Sequence, residues 1–188
     1  MMRLRRTLLA ALTLIVIGLG TARADTLTYT GTTTGGPTFN RPLEDGSGLT
    51  GIGTAVPYSV LQFSVTAAGS YSFVSTPTTA LYDNFLILYQ NAFNPAAPLA
   101  NFVIADDDTG GIGVSSAFTT PLTVGTNYFL VTTGFNNQDF GNFTNSITGP
   151  GSFITGGGAP IPEPATMILL GTGLAAVAGR RLRRHPSV

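Results

Sequence analysis

Cysteine, tryptophan and lysine are all absent from this chain of 188 residues, and its single histidine is His185, close to the C-terminus. Without cysteine the fold uses no disulfide bonds, and zinc–thiolate sites and cysteine nucleophiles are excluded. Without a histidine in the body of the chain, a Ser-His-Asp arrangement cannot form there. The sequence therefore predicts a protein that is not an enzyme and has no catalytic residues.

Positive charge is almost confined to the two ends of the chain. Of nine arginines, only Arg41 lies between Asp25 and Ile161. The acidic residues of the same stretch are Asp25, Glu44, Asp45, Asp83, Asp106, Asp107, Asp108 and Asp139. A body so poor in cations cannot neutralise a run of phosphates, so nucleic acid is excluded as a partner.

The N-terminal 24 residues have the layout of a secretory signal peptide. Three arginines precede an apolar core from Leu8 to Leu19, and Ala22-Arg23-Ala24 follows it. The small residues Ala22 and Ala24 predict cleavage by signal peptidase after Ala24. The alternative is a retained membrane helix, for which the apolar run is short of the roughly 20 residues of a full span.

The C-terminal end has three parts in a fixed order. Pro162-Glu163-Pro164 comes first, the apolar run Ala165–Ala178 follows, and the arginines that would set its orientation are Arg180, Arg181, Arg183 and Arg184. As a helix the apolar run is about 21 Å long, which is short for a bilayer core of about 30 Å. Such a segment suits transient anchoring in the inner membrane followed by removal. An ordinary C-terminal tail anchor is the alternative.

This tail resembles the PEP-CTERM sorting signal of Gram-negative bacteria. The resemblance covers about residues 159–184 and includes Pro162, Glu163 and Pro164 together with the transmembrane segment and the arginine cluster. It implies recognition by an exosortase, a membrane protease that cuts near the Pro-Glu-Pro. It further implies release or transfer to the outer surface or extracellular matrix, often in bacteria that make extracellular polysaccharide.

The body between the two ends predicts an all-β fold, an antiparallel β-sandwich or jelly roll. No window keeps a helical apolar period, and apolar or alternating runs recur every 10 to 15 residues with turn residues between them. Residues 58–65 and 71–75 predict a hairpin, and the continuous apolar run Phe85–Tyr89 predicts a strand covered on both faces. Further strands are predicted near Leu27 and Tyr29, at 102–105, at 115–122 with a break at Pro121, at 128–133, and finally at 143–147.

The predicted domain organisation has five parts. They are a signal peptide (1–24), a Thr/Gly-rich N-terminal segment of the domain (25–55), the β-sandwich (56–150), a flexible Gly-rich linker (151–160) and the sorting tail (161–188). Residues 56–150 also resemble the bacterial pre-peptidase C-terminal domain, on the segments 82–89, 99–101, 105–108, 124–131, 134–135 and 141–144. That resemblance implies a jelly-roll sandwich of the kind appended to exported proteins, although no protease domain precedes it here.

The sharpest polar cluster is Asp106-Asp107-Asp108, followed by Thr109-Gly110-Gly111. Consecutive carboxylates repel one another, and calcium relieves this repulsion because it takes six to eight oxygen ligands. Asp83, also between strands, could add a carboxylate. The sequence therefore predicts a calcium site at Asp83, Asp106, Asp107 and Asp108. A solvated acidic turn is the alternative.

Polysaccharide binding is a second possibility for the loops. The candidates for a sugar platform are Tyr82, Tyr89, Phe93 with Asn94, and Phe135 with Asn136 and Asn137. The alternative is that these rings pack over the ends of the sandwich. A glycosidase pair could be formed from Glu44 with Asp45 or from Asp83 with Asp139, but turns explain those carboxylates equally well.

These observations predict a non-catalytic surface or extracellular-matrix protein that is sorted by an exosortase and associated with exopolysaccharide or biofilm. A polysaccharide- or calcium-binding β-sandwich module is the alternative function.

Mass spectrometry of the mature protein from its native cells tests both ends. We expect an N-terminus at Asp25 and a C-terminus near Pro164, because both apolar segments have the features of processed sorting signals. An intact chain through Val188 would contradict processing of the tail.

Overall fold

The computed structural model of the chain describes residues 24–111 and 114–156. The predicted signal peptide up to Arg23 and the predicted sorting tail lie outside these residues. Within them, no helix has the length and apolar character needed to cross a membrane.

Strands make up about half of the described chain, and every strand pairing is antiparallel. The all-β antiparallel prediction is confirmed. The strands are β1 (Asp25–Thr32), β2 (Thr38–Phe39), β3 (Val56–Pro57), β4 (Ser59–Val65), β5 (Gly69–Pro77), β6 (Asn84–Gln90), β7 (Phe102–Asp106), β8 (Ser116–Leu122), β9 (Tyr128–Gly134), β10 (Asn142–Gly149) and β11 (Phe153–Thr155).

Two sheets form the sandwich, and their facing side chains form the main core. The four-stranded sheet has the order β1-β10-β5-β8, and the five-stranded sheet has the order β11-β4-β9-β6-β7. Phe73 and Ile147 of the first sheet pack in one cluster with Phe63, Leu88 and Leu130 of the second. A short ribbon, β2-β3, completes the described strands.

Strand β6 is buried on both faces, as its continuous apolar run predicts. Successive side chains of a strand point to opposite faces. Leu86 and Leu88 therefore enter the main core, while Phe85, Ile87 and Tyr89 enter a second cluster on the outer side of the same sheet. That second cluster is closed by aromatic side chains of the N-terminal segment and of the loop after β6, namely Phe39, Tyr58 and Phe93.

A buried asparagine joins the two sheets through polar contacts. The Nδ2 of Asn145 on β10 donates to the hydroxyls of Tyr29 and Thr132, each at 2.8 Å. Tyr29 is on β1 and Thr132 is on β9, so the network crosses the core. Burial raises the pKa of Tyr29 to about 12, which keeps its hydroxyl neutral and able to donate.

The predicted hairpin of residues 58–65 and 71–75 is wrong. Both segments are strands, but β4 pairs with β9 and β11, whereas β5 pairs with β10 and β8. The turn at Ala68-Gly69 carries the chain from one sheet to the other. Two strands that each bury one face against the same core give the same alternating pattern whether they are paired or lie in facing sheets.

The break predicted at Pro121 is also wrong, because β8 runs through it. Strand β8 is an edge of the four-stranded sheet. An edge position tolerates proline, since one side of the strand needs no backbone donor.

Among the described residues the last strand is β11 and not the predicted strand near 143–147. Residues 153–155, placed by the sequence in the flexible linker, pair with Phe63, Ser64 and Val65 of β4. The ring of Phe153 packs against Phe63 and Tyr71, with ring centroids 6.3 and 5.8 Å apart. Because glycines surround this segment, its composition predicts a linker even though three of its residues form a strand.

Replacing Phe153 with alanine tests whether β11 is part of the folded domain. Its ring is half-buried against the main core, so we expect the free energy of unfolding to fall by about 1–3 kcal/mol. Ser152→Ala, at an exposed neighbouring position, is the control and should change it by less than about 0.5 kcal/mol. Equal stability of the two variants in urea denaturation would mean that β11 contributes nothing to the fold.

Candidate functional site

Three of the four predicted calcium ligands meet at one edge of the five-stranded sheet. Asp83 directly precedes β6, and Asp107 and Asp108 directly follow β7. Because β6 and β7 are antiparallel neighbours with Leu86 opposite Asp106, the start of one strand lies beside the end of the other. One carboxylate oxygen from each of the three aspartates lies within 4.8 Å of the other two. We call Asp83, Asp107 and Asp108 the acidic cluster.

Asp106, the fourth predicted ligand, has a structural role. Its Oδ2 accepts hydrogen bonds from the backbone amide of Ala117, at 2.7 Å, and from the hydroxyl of Thr109, at 2.9 Å. These contacts tie the end of β7 to the beginning of β8, across the edge of the sandwich. Asp106 is not part of the group of carboxylates that could hold a metal ion.

Asp107 has the most perturbed environment of the cluster. Burial, together with the negative charges of Asp108 and Asp83, raises its pKa from 3.8 to about 7, although Arg41 opposes the rise. Its Oδ1 is buried and has no hydrogen-bond partner among the described residues. Burial of this oxygen without a hydrogen-bond donor disfavours the charged form of the carboxyl, in agreement with the raised pKa of Asp107.

Arg41 lies beside the acidic cluster and is almost completely buried, with 3% of its surface exposed. Its Nε and Nη1 donate to the carbonyls of Phe135 and Pro42, each at 3.0 Å. Its guanidinium carbon lies 4.0 Å from the ring centroid of Phe85 and 4.9 Å from that of Phe135. Burial lowers the pKa of Arg41, and the nearby carboxylates of Asp107, Asp83, Asp139 and Glu44 act in the opposite direction.

Sequence reasoning did not single out Arg41 as a residue of the site. The feature of the sequence that could have identified it is that Arg41 is the only arginine or lysine between Asp25 and Ile161. A lone positive charge in an acidic domain is drawn to the place where carboxylates are densest, and Coulomb attraction there offsets part of the cost of burial.

A cavity of about 210 Å³ opens beside Arg41 and Asp107. It is lined by Arg41, Leu43, Glu44, Thr50, Ile52, Phe85, Asp107 and Phe135. A wider depression of about 510 Å³, lined by Leu43, Glu44, Asp45 and Ala105, adjoins it. The site therefore has room for water or additional ligand oxygens.

The predicted sugar platform is not present as an exposed set of rings. Tyr82 and Tyr89 are buried, and the hydroxyl of Tyr82 donates to the carbonyl of Thr133 at 2.8 Å. Phe93 packs against Phe39, Tyr58 and Tyr89. Only Phe135 of the predicted rings lines the cavity, and its face is stacked on Arg41. The alternative interpretation, that these rings pack over the sandwich, is correct.

Two of the carboxylates considered for glycosidase pairs, Asp45 and Asp139, accept hydrogen bonds within turns. Asp45 Oδ1 accepts from the amide and hydroxyl of Ser47 at 2.9 and 2.7 Å. Asp139 Oδ2 accepts from the amide of Asn136 at 2.9 Å. The amides named beside the rings do the same, since Asn94 Oδ1 accepts from Ala96 N and Asn136 Oδ1 accepts from Gln138 N.

A family model for the PEP-CTERM protein-sorting motif matches residues 160–184. The chain carries this sorting motif. The motif implies export, membrane-anchored sorting in a Gram-negative bacterium and processing by an exosortase. It covers only the tail, so the resemblance of residues 56–150 to the pre-peptidase C-terminal domain stays a prediction.

Among solved structures, the chain is similar to "CBM35 from Cellvibrio japonicus Abf62", with 14% sequence identity and a TM-score of 0.37. The alignment covers 72% of this chain and 99% of that one. A similarity at this level says nothing about what the present chain binds. No curated protein matches the sequence.

Thermal unfolding in calcium-free buffer between pH 4 and 8 tests the environment of Asp107. The folded protein keeps a proton on Asp107 up to about pH 7, whereas the unfolded chain loses it near pH 4. The native state therefore binds more protons in this window, and the stability contributed by Asp107 falls as the pH rises from about 4 to about 7. Asp107→Asn should lose this part of the decline and unfold at a higher temperature than the wild type above pH 7.

Asp25→Asn is the matched control, because it removes an exposed carboxylate at a distant strand end. Its melting curve should follow that of the wild type across the whole range. If Asp107→Asn also follows the wild type, Asp107 is solvated and the interpretation of its environment is wrong.

Proposed function

We propose that the protein is a non-catalytic component of the outer surface or extracellular matrix, whose β-sandwich binds calcium at the acidic cluster. The sorting motif supports delivery outside the inner membrane. The convergence of Asp83, Asp107 and Asp108 from two separate segments is the observation that carries the calcium assignment.

The chemistry of the cluster favours a hard divalent cation. Burial, and after it the repulsion by Asp108 and Asp83, raises the pKa of Asp107, and a cation among the three carboxylates would remove the repulsion. Calcium suits the site better than magnesium does, since it accepts irregular sets of carboxylate, carbonyl and water oxygens. Three carboxylates leave some coordination positions of calcium unfilled, and the adjoining cavity has room for water molecules that would fill them.

Arg41 does not make the cation redundant. Its guanidinium donates to two backbone carbonyls, lies against two aromatic rings and lines the same cavity as Asp107. A single positive charge also leaves a large excess of carboxylates in the domain. Calcium would complete the charge balance and join the end of β7 to the start of β6.

A non-catalytic role fits the remaining polar groups. In the part of the chain that the structure describes there is no histidine, and Asp45 and Asp139 accept turn hydrogen bonds. What the sandwich supplies instead is a stable, acidic body that the sorting pathway delivers to the exopolysaccharide layer.

Calorimetric titration of the full-length chain with calcium chloride tests the proposal. We expect saturable binding, and at a calcium concentration of 100 times Kd the protein should gain about 2.7 kcal/mol of stability. The double variant Asp107→Asn, Asp108→Asn should lose both effects, because two of three charged ligands become neutral.

Two controls separate binding from folding. Asp25→Asn should bind calcium as the wild type does, since Asp25 lies at the far end of β1. Asp106→Asn should lower stability but retain binding, because Asp106 holds β8 and is not a ligand. Absence of heat, with an unchanged melting temperature in the wild type, would rule out a calcium site.

A further inference from the structure

The outer face of the four-stranded sheet has an unusual composition. It consists of the even-numbered positions of β1, β5 and β10 and the odd-numbered positions of β8, which point away from the core because side chains alternate along a strand. Most of these positions hold threonine or serine, and none holds a charged residue. We call this surface the hydroxyl face.

The strand registers align the hydroxyl face into rows that cross the sheet. Thr30 lies opposite Thr144, which lies opposite Thr76. In another row, Thr26 lies opposite Thr148, which lies opposite Ser72, and Ser72 lies opposite Thr119. Neighbouring strands lie about 4.8 Å apart, and outward side chains repeat about every 6.7 Å along a strand. The hydroxyls therefore form a regular two-dimensional array.

The two outer faces of the sandwich differ in how they are covered. The five-stranded sheet has aromatic side chains of the N-terminal segment and of the loop after β6 packed on its outer side. On the hydroxyl face, the outward side chains of β1 and β5 are all exposed. This uncovered face is broad, since it spans four strands.

We infer that the hydroxyl face binds a neutral polysaccharide that lies across the strands. Threonine and serine hydroxyls can donate and accept hydrogen bonds with sugar hydroxyls, and threonine methyls can contact sugar C–H groups. A protein partner would need the aromatic, methionine or arginine anchors that protein interfaces use, and the hydroxyl face has none of them.

Charge selects the class of polysaccharide. The domain has one cation against eight carboxylates between Asp25 and Ile161, and that cation, Arg41, is buried. A polymer rich in carboxylate or sulfate would be repelled by this field, whereas a neutral polymer would not. The inference rests on the proposed matrix location, which brings the face into contact with extracellular polymer.

Co-sedimentation of the full-length chain with insoluble cellulose, and affinity electrophoresis through neutral dextran and acidic alginate, test the inference. We expect binding to at least one neutral polymer and none to alginate. Thr30→Val with Thr76→Val should weaken binding about tenfold, since valine keeps the shape and strand preference of threonine but removes two hydroxyls. Thr38→Val with Thr155→Val makes the same change at exposed strand positions elsewhere and should bind as the wild type does.

A second variant covers the case in which polysaccharide binding tolerates the two valines. Thr30→Glu with Thr76→Glu places charge in the middle of the face and should abolish binding while the melting temperature stays within a few degrees of the wild type. Binding to alginate alone, binding that survives both face variants, or a dimer that forms through this face in place of polysaccharide binding would each overturn the inference.

The proposed function can fail separately. Calcium titration and localisation of the exported protein report on the matrix role without any polysaccharide. A protein that binds calcium and reaches the surface, but ignores every neutral polymer, would disprove only the inference about the hydroxyl face.

Discussion

Burial of one guanidinium organises an entire end of the sandwich. To bury Arg41, the segment from Arg41 to Gly53 folds back on itself, with the amide of Arg41 donating to Gly53 O and the amide of Thr50 donating to Arg41 O, each at 3.0 Å. The approach is so close that a Cβ on Gly53 would lie 2.9 Å from Nε of Arg41. A buried charge is stable only when polar, charged or aromatic groups surround it. The fold of residues 41–53 therefore depends on the contacts of Arg41 with Phe85, Phe135 and the nearby carboxylates.

Periodicity predicted the strands and their faces well, because it records which side chains avoid water. Strand β6 shows this most clearly, since its uninterrupted apolar run required cover on both sides and received it from two separate clusters. Pairing partners could not be predicted in the same way. Alternation in β4 and β5 indicates one buried face in each strand but does not identify the strand that supplies the hydrogen bonds, so the pattern does not distinguish facing strands from paired ones.

The acidic cluster was partly predictable because its residues follow strands that the sequence marks clearly. The composition could not indicate which of the consecutive aspartates join the cluster and which one stabilises the fold. Successive side chains leave a strand in opposite directions, so Asp106 reaches β8 while Asp107 faces Arg41. The predicted aromatic platform failed for a related reason: a ring at a strand end looks the same in sequence whether it covers a neighbour or faces solvent.

Strand β11 sets a distance as well as a pairing. It ends at Thr155, and the Pro-Glu-Pro begins at Pro162, so the six residues 156–161 can span at most about 21 Å. The folded domain therefore lies within this distance of the Pro-Glu-Pro of the motif, which implies processing by an exosortase. Separation of the three residues of β11 from β4 would lengthen this connection by about 10 Å. The stability of this short edge strand therefore sets how far the folded domain can lie from the Pro-Glu-Pro.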